Sequence, residues 1–407
     1  PSSILTGFGI DHYSNGITGY RNMLTLLDVS GQMVDLGTGF SVCDMSMPIA
    51  QGMSTTAWGT PTDGKKCPSL AGAYLYDVLK DGGIGEFQHT VKSVFFYVHN
   101  ILGNYPDRKN WLEIFDMLDL IVVADVWMSE TCRHADIVLP VAYMWEVRDI
   151  ARPNANPYLR LMEKAVDPQF ESKSDFDIAT LLAQGMGLGD KFDVTIDEFL
   201  ASAVDNATAK KFGITWDRLQ EEGRIYAHKE DYTYGREKFY TPTGRSEFYL
   251  ENVKPDFDAG FEWDREYRAL PYWFPPNEAW SENELFEKYP LIFISERSKF
   301  KVHTQWTYIE SLLELESEPY IKISREDAEA RGVQTNDVVR LYNDRGYVVI
   351  KAVINDGVRP GMVVIDHGWQ DDQFIEGHYS DLSNRYVDQA IPGPAWFDTL
   401  CEFEKVE

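Results

Sequence analysis

Ser93-Val94-Phe95-Phe96-Tyr97-Val98 decides the fold, because a short run of aromatic and β-branched residues is typical of a buried strand. Residues 111–117 have helical spacing, and the apolar residues 120–124 predict a second strand. A third strand-like run, residues 135–140, follows after a short interval. This strand–helix–strand order favours a parallel sheet covered by helices. The loops at its carboxyl edge, beginning near Asn100, are where such sheets bind ligands.

A second α/β pattern opens the chain. Ile4-Leu5-Thr6 predicts a short strand, Gly7-Phe8-Gly9 begins a loop, and residues 20–27 have helical spacing. Glycines after a strand form either a plain turn or a cradle for phosphate groups, and the residues alone leave both open.

The last third of the chain is predicted to be a small β-barrel, because short strands recur at near-regular spacing. The predicted strands are residues 290–294, 321–323, 337–342, 347–354 and 362–365. Ser324 precedes Asp327 at the spacing of a helix cap, which predicts a short helix between two strands. Residues 255–290, rich in Trp, Pro and acidic residues, predict an extended connection ahead of the barrel.

Composition and charge limit the classes of function. The 407 residues are 44% hydrophobic, and at roughly 100 to 200 residues per domain they argue for about two to four domains. Lys and Arg total 38 against 65 Asp and Glu, a net charge of −27 that repels phosphate backbones, so no nucleic-acid partner is expected. The longest apolar run, residues 118–126, is far shorter than the ~20 residues that span a bilayer, so no direct membrane insertion is expected.

The four cysteines, Cys43, Cys67, Cys132 and Cys401, are widely spaced, and the sequence contains no C-x-x-C pair. Neither a zinc ribbon nor an iron–sulfur cluster can be built from that spacing, so most of the cysteines are expected to be buried apolar residues. The sequence begins at Pro1 without a Met, a basic segment or an apolar segment. We therefore expect either a processed chain or the C-terminal part of a longer one.

A series of short motifs runs through the chain in a fixed order. The motifs are Ser129-Glu130-Thr131, residues 135–140, Lys173-Ser174-Asp175-Phe176, residues 240–248, Arg297 with His303-Thr304-Gln305-Trp306, residues 323–339, residues 358–362 and His367-Gly368-Trp369. Together they resemble the molybdopterin oxidoreductases, the dimethyl sulfoxide reductase family. The resemblance implies the C-terminal portion of a catalytic subunit.

The resemblance also implies an α/β fold, with dinucleotide-binding three-layer αβα domains followed by a C-terminal double-psi-type β-barrel. Residues 1–50 would end one cofactor-binding α/β domain, residues 51–275 would form the second with a linker, and residues 285–407 would form the dinucleotide-binding barrel. The family's N-terminal [4Fe–4S] motif and its metal-ligating residue are not found in this sequence. The resemblance therefore implies that no residue of this sequence ligates the metal. The partners that it implies are the N-terminal remainder of the catalytic chain, an iron–sulfur electron-transfer subunit and a small-molecule substrate.

The cofactor that the resemblance implies is molybdenum or tungsten held by two molybdopterin guanine dinucleotides, a bis(molybdopterin guanine dinucleotide), with the [4Fe–4S] cluster in the missing part. By position, the candidate cofactor-binding residues are Phe8, Gly9, His12, Asn15, Gly16, Asn100, Asp125, Ser129, Thr131, Asp175, Arg297, His303, Thr304, Gln305 and Asn384. His12 is also the catalytic candidate, in the wall nearest the metal. Asp125 and Asp175 would accept hydrogen bonds from the N1–H and 2-amino groups of guanine.

Several candidates have a structural alternative that the residues leave open. His12 could be a turn histidine, and either aspartate could simply cap a helix. Ser129 and Thr131 could likewise be caps, and residues 297–305 could be a solvated loop. Near the C-terminus, the pair Ser380-Asp381 is an alternative to Asn384.

The resemblance implies that the protein reduces a small oxidised or aromatic, catechol-like substrate. It also implies that this reaction is part of an electron-transfer process such as anaerobic respiration. A non-redox hydratase or transhydroxylase of the same family is one alternative, and a cofactor-less structural subunit of an electron-transfer complex is another. The prokaryotic cytoplasm and periplasm both remain open as the compartment.

Overall fold

The computed structural model describes residues 1–35, 37–42, 52–53, 70–85, 87–153, 156–227, 239, 241–251, 269–388 and 393–406. Predictions that involve Cys43, Cys67, Tyr240 and residues 255–268 lie outside these residues. None of the described helices combines the length and the apolar character that crossing a bilayer requires.

The N-terminal segment has the predicted strand, loop and helix. Strand β1 (Ser3–Thr6) pairs in parallel with β2 (Gly39–Val42), and helix α1 (Gly16–Val29) lies between them in the chain. A short 3₁₀ helix, Phe8–His12, occupies the glycine-bearing loop.

The parallel sheet predicted from the opening stretch is confirmed. It is formed by β3 (Ser93–Tyr97), β4 (Leu120–Asp125) and β5 (Ile137–Pro140), in that order and all parallel. The helices that accompany it are α2 (Leu75–Asp81), α3 (Ile101–Asn104), α4 (Arg108–Met117) and α5 (Glu130–Arg133). Trp111 and Ile114 of α4 pack against Ile121 and Val123 of the sheet, all at most 4% exposed. Fully burying such side chains contributes about 1.5–3 kcal/mol each.

An antiparallel sheet and a helical cluster follow. The sheet consists of β6 (Asp149–Ala151), β7 (Tyr158–Met162) and β8 (Arg224–Tyr226). Its helices are α6 (Asp175–Gly185), α7 (Ile196–Val204), α8 (Ala207–Lys211) and α9 (Trp216–Glu222). Leu159, Leu200 and Leu219 form the centre of their shared core.

The C-terminal region is a closed six-stranded β-barrel, as predicted. Its strands and intervening helices are β9 (Leu291–Glu296), α10 (Glu310–Leu313), β10 (Tyr320–Ile323), α11 (Arg325–Ala330), β11 (Val338–Tyr342), β12 (Tyr347–Ile354), β13 (Met362–Asp366) and, last in the chain, β17 (Leu400–Lys405). The strand order is β10-β13-β9-β17-β11-β12, and the pairing of β12 with β10 closes the ring. Three short strands complete the region: β14 (Glu376–Gly377), β15 (Val387–Asp388) and β16 (Gly393–Pro394). The Ser324 hydroxyl accepts the Asp327 amide at 3.0 Å, which confirms the predicted cap of α11.

The barrel is joined to the N-terminal segment through a buried carboxylate, Asp398. It accepts hydrogen bonds from the Ser14 hydroxyl and from the backbone amides of Asn277, Glu278 and Ala279. Because a buried carboxylate needs several donors, this cluster fixes the first loop of the chain against the barrel.

A second connection joins the barrel to the parallel sheet. Arg108 of α4 pairs with Glu130 of α5, and it also contacts Asp371 and Asp381 of the barrel at 3.4 Å each. Burial raises the pKa of Glu130, and the neighbouring Arg108 guanidinium opposes that rise. The barrel thus covers one end of the sheet, and this position creates the site.

Candidate functional site

A cleft of about 430 Å³ lies between the carboxyl edge of the parallel sheet and a loop of the barrel, residues 303–308. This volume is in the range that holds small-molecule ligands, about 300–1,000 Å³. The predicted site residues that line it are Asn100, Asp125, Ser129, Asp175, His303, Thr304 and Gln305. Residues that are far apart in the chain therefore meet in one cavity.

The two aspartates of the cleft differ in what they already bind. The Asp125 carboxylate accepts the Trp127 amide at 3.2 Å and the Ser129 hydroxyl at 2.8 Å, so it shapes the loop that follows β4. Asp175 is the first residue of α6, whose cap is the Ser174 hydroxyl. No described residue hydrogen-bonds the Asp175 carboxylate, which is exposed in the cleft. Of the pair, Asp175 has its acceptor atoms available for a ligand.

Asn100 and Thr131 form a buried pair at the base of the cleft. The Asn100 Oδ1 atom accepts the Thr131 hydroxyl at 2.6 Å and the Thr131 amide at 3.2 Å. The Thr131 oxygen in turn accepts the Leu102 amide at 3.1 Å. Thr131 is fully buried and lies behind the cleft wall, so its hydroxyl serves the protein itself.

The barrel loop at residues 303–308 has an unusual backbone. His303 and Trp306 have positive φ angles of 54° and 70°, a conformation that costs energy for residues other than glycine. The loop lies directly on Gly368, where a Cβ atom would come within 1.8 Å of the His303 carbonyl oxygen. The Thr307 hydroxyl shares its proton between the Thr304 carbonyl at 2.8 Å and the Gly368 carbonyl at 3.1 Å, which ties the loop to Gly368. Gly368 is therefore required for this wall of the cleft.

Histidines and an arginine extend from the cleft towards the N-terminal loop. Arg297 donates to His303 Nε2 at 2.7 Å, which leaves the proton of the neutral ring on Nδ1. His303 Nδ1 lies 3.2 Å from Nε2 of the buried His367. Burial lowers the pKa of His303, and it lowers the pKa of His367 to about 3, with nearby cationic groups adding to both effects. Both imidazoles are neutral near pH 7 and present donors and acceptors in fixed positions.

His12 reaches this cluster through aromatic contacts. Its ring lies 5.7 Å from Trp396 and 5.2 Å from Phe397, and Trp396 lies 5.0 Å from His367. Burial lowers the pKa of His12, and the neighbouring Asp11 opposes that effect. His12 does not line the cleft.

The other predicted residues of the first loop lie away from the cleft, and all but Phe8 have close neighbours in the protein. Phe8 is exposed, and a Cβ atom on Gly9 would contact Phe397 at 3.6 Å. Asn15 donates to the Phe274 carbonyl at 2.6 Å. A Cβ atom on Gly16 would come within 2.5 Å of the Ile10 and Asp11 backbone, so this glycine allows the helix to pack against its own loop.

Asn384 lies in a different place from the main cleft. It is buried, donates to the Asp398 carbonyl and accepts the Tyr386 amide, and it lines a small cavity of about 20 Å³ beside Trp111. In the alternative pair, Ser380 is buried and Asp381 contacts Arg108. None of these residues faces the main cleft.

Several lining residues were not among the candidate site residues predicted from the sequence. They are Trp127, Tyr143, Trp306, Tyr308 and Gln370. The Trp306 Nε1–H group donates to the Tyr143 hydroxyl at 3.4 Å, which links the barrel loop to the segment after β5. Aromatic side chains offer stacking surfaces to nucleobases. Their positions in the sequence could have indicated two of them. Trp127 follows a predicted strand, and Trp306 directly follows the three candidate residues His303, Thr304 and Gln305.

A group of potential metal ligands lies near the cleft. Ligand atoms of Glu130, His134 and Asp371 lie within 4.8 Å of one another. Arg108 pairs with Glu130, and Arg133 pairs with Asp371. Because both carboxylates already have cations, this group is part of the ion-pair network between barrel and sheet.

Two family profiles match the chain in separate regions. Residues 1–184 match the molybdopterin oxidoreductases, and residues 291–395 match the molydopterin dinucleotide binding domain. The chain belongs to the molybdopterin oxidoreductase family.

Relatives of this family align with almost the whole chain. A Halobacterium salinarum protein, named as the catalytic chain of a dimethyl sulfoxide reductase, is 31% identical over 94% of the chain and 44% of its own length. The dimethyl sulfoxide/trimethylamine N-oxide reductase of Cereibacter sphaeroides is 29% identical over 90% of the chain and 49% of its own length. The chain thus spans about half the length of these relatives.

The fold is similar to that of one solved structure. Acetylene hydratase from Pelobacter acetylenicus superposes with a TM-score of 0.66 at 22% identity, over 83% of this chain and 47% of that one. At this identity the likeness concerns the fold alone.

The residues of the cleft fit the dinucleotide end of a molybdopterin cofactor. A guanine base presents N1–H and 2-amino donors, and the available Asp175 carboxylate is a matching pair of acceptors. The aromatic side chains of Trp127 and Trp306 provide flat surfaces in the same cleft. The cleft therefore has the volume and the chemistry for this part of the group.

Proposed function

We propose that this chain forms the dinucleotide-holding part of a molybdenum or tungsten oxidoreductase with a bis(molybdopterin guanine dinucleotide) cofactor. The observation that carries the proposal is the Asp175 carboxylate, available in a cleft built jointly by the parallel sheet and the barrel. The matches of both family profiles support it, since they cover the two regions that form the cleft.

Each polar group of the cleft has a role in this proposal. Asp175 accepts the guanine donors, and the Asp125 carboxylate keeps the loop after β4 in its conformation. Arg297 lies outside the cleft lining and provides the positive charge for the phosphate groups, while His303 on the cleft wall orients it through the hydrogen bond at Nε2. When bound, the cofactor supplies the redox chemistry of the family, while the chain orients it and excludes water.

We further propose reduction of a small oxidised substrate as the reaction of the whole protein. Support comes from the names of the relatives, which are reductases of dimethyl sulfoxide and trimethylamine N-oxide. The Halobacterium salinarum relative is named as one subunit of its enzyme, which supports the proposal that this protein also has partner chains. We propose that an iron–sulfur electron-transfer subunit is one of them. The division into residues 1–50, 51–275 and 285–407 is part of the same proposal.

Titration with guanosine diphosphate (GDP) tests the assignment of the cleft. We expect the protein, freed of any bound cofactor, to bind GDP more tightly than adenosine diphosphate, because adenine lacks the paired N1–H and amino donors. Asp175→Asn should weaken GDP binding at least tenfold, since losing a charge-assisted hydrogen bond costs about 1.5–3 kcal/mol. Isothermal titration calorimetry measures both affinities.

Asp217→Asn is the matched control. Asp217 is exposed in the first turn of α9, outside the cleft, so the variant makes the same change of charge at the same kind of helix position. Equal GDP affinities for the parent and Asp175→Asn would contradict the role of Asp175. Protein isolated from its own host should also release guanosine monophosphate on acid hydrolysis, and its absence would refute the cofactor assignment.

A further inference from the structure

The side chain of Gln370 crosses from the barrel to the parallel sheet at the base of the cleft. It belongs to the segment after β13, is 1% exposed and lines the cleft. Its Oε1 atom accepts the Asn100 Nδ2–H group at 2.9 Å and the Glu130 amide at 3.1 Å. One barrel side chain thus connects the loop after β3 with the first residue of α5.

The orientation of the Gln370 amide is determined by these two donors. Because both N–H groups point to Oε1, the opposite orientation would place Nε2–H against two donors. The Nε2 atom has the Gly368 carbonyl as a partner at the long distance of 3.5 Å. The shorter hydrogen bonds of this side chain are therefore the two that its Oε1 atom accepts from Asn100 and Glu130.

Asn100 passes this constraint to a second buried residue. Its Nδ2 donates to Gln370, while its Oδ1 accepts both the hydroxyl and the amide of Thr131. Buried amides with satisfied donors and acceptors hold a single orientation, and breaking one link leaves a buried polar atom unpaired. This chain of bonds joins the loop after β3, which carries Asn100, to helix α5, which directly follows Ser129; both residues are on the cleft wall.

The close approach of the barrel to the sheet depends on a glycine. A Cβ atom on Gly103 would lie 2.7 Å from Asn100 Nδ2 and 2.8 Å from Gln370 Nε2. Gly103 has no positive φ angle, so space and not backbone conformation makes a side chain costly here. The absence of a side chain at this point allows the junction to form.

We infer that Gln370 is a positioning residue, through which the seated barrel sets the orientation of Asn100 and the shape of the nucleotide cleft. The inference rests on the proposed binding of a guanine nucleotide in that cleft. The inference predicts that loss of the Gln370 hydrogen bonds weakens ligand binding, because Asn100 and its partner Thr131 no longer keep their orientation.

A double-mutant cycle in the affinity for GDP tests this. Gln370→Met keeps the volume of the side chain and removes its acceptor, and Thr131→Val removes the hydroxyl at nearly constant shape. Since Thr131 does not line the cleft, its effect reaches the ligand through the residues that it holds, of which Asn100 lines the cleft. We expect Gln370→Met to weaken GDP binding at least tenfold and Thr131→Val to weaken it several-fold. The double variant should lose no more than the worse single variant, because both act on the same junction.

The affinities are measured below the unfolding transition of each variant, so that lower stability is not counted as weaker binding. Gln334→Ala, an exposed glutamine of the same barrel outside the cleft, should bind GDP like the parent. If Gln370→Met or Thr131→Val prevents folding, Gln370→Ala or Thr131→Ala takes its place in the cycle.

The outcomes separate the two proposals. GDP binding by Gln370→Met equal to that of the parent would overturn the positioning role and leave the cleft assignment intact. Additive losses in the double variant would also overturn it, because independent effects exclude a shared junction. A folded parent protein that does not bind GDP would instead refute the proposed function itself.

Discussion

Replacing Asp107 by Asn should stabilise the protein at neutral pH. Asp107 precedes α4 with a φ angle of 57°, and its Oδ2 atom is buried without a hydrogen-bond partner among the described residues. Burial raises the pKa of this carboxyl from 3.8 to about 6, although Arg385 and Arg345 oppose the rise. Asn keeps the shape of the side chain, tolerates the left-handed backbone and cannot ionise.

The size and the sign of the effect follow from the two pKa values. Below about pH 4 the carboxyl is protonated in the folded and the unfolded chain, so it does not alter stability. As the pH rises from 3.8 to about 6, the unfolded chain loses the proton first, and folding stability falls. Each pH unit in this window costs about 1.4 kcal/mol, so the wild-type protein loses up to ~3 kcal/mol and stays at that level at higher pH.

Urea unfolding at a series of pH values measures this difference. We expect Asp107→Asn to match the wild type near pH 4 and to exceed its stability by up to ~3 kcal/mol above about pH 7. Asp217→Asn, at an exposed position, should track the wild type throughout. If Asp107→Asn is no more stable than the wild type near neutral pH, the pKa of the folded carboxyl is not raised, and the interactions with the arginines offset the cost of burial.

Three other predictions concern the barrel and its contacts. Gly368→Ala places a Cβ atom 1.8 Å from the His303 carbonyl oxygen, so the loop must move, and circular dichroism should record a lower melting temperature together with weakened GDP binding by calorimetry. Arg108→Met leaves the buried Glu130 carboxylate without its cation and should cost about 3–5 kcal/mol in urea unfolding, much of which an added Glu130→Gln should restore. Burial lowers the pKa of His367 from 6.5 to about 3, so NMR should show no titration of this histidine down to about pH 5. Below pH 6.5 the unfolded chain takes up a proton that the folded chain does not, so the folded protein loses stability as the pH falls. His367→Gln should therefore be less sensitive to acid than the wild type.

Much of the secondary structure could be predicted because it depends on neighbours in the chain. The run Ser93–Val98 predicted β3, and its pairing with β4 is parallel as expected from the intervening helix. The spacing of short strands after residue 290 predicted the barrel, whose closure the pairing of β10 with β12 confirms. The cap at Ser324 needed only three residues of sequence to be recognised.

The candidate site was harder, because hydrogen-bond partners depend on contacts distant in sequence. Thr131 and Asn100 were both selected, but their mutual hydrogen bonds place one of them behind the cleft and the other at its base. Gln370 was missed, since nothing near it in the chain indicates that it accepts hydrogen bonds from the sheet. The role of the site residues stays a prediction until the binding experiments are done.

The sequence by itself determined the parallel sheet, the barrel and the family, because periodicity, caps and short motifs act over a few neighbouring residues. Only the tertiary structure decided which of those residues share a cavity. The sequence does not distinguish Asp125 from Asp175. In the structure, Trp127 and Ser129 of the loop after β4 donate hydrogen bonds to the Asp125 carboxylate, while the Asp175 carboxylate at the start of α6 is available for a ligand. That distinction depends on how the barrel and the sheet pack together, since long-range packing determines which buried polar groups find partners and which are left for a ligand.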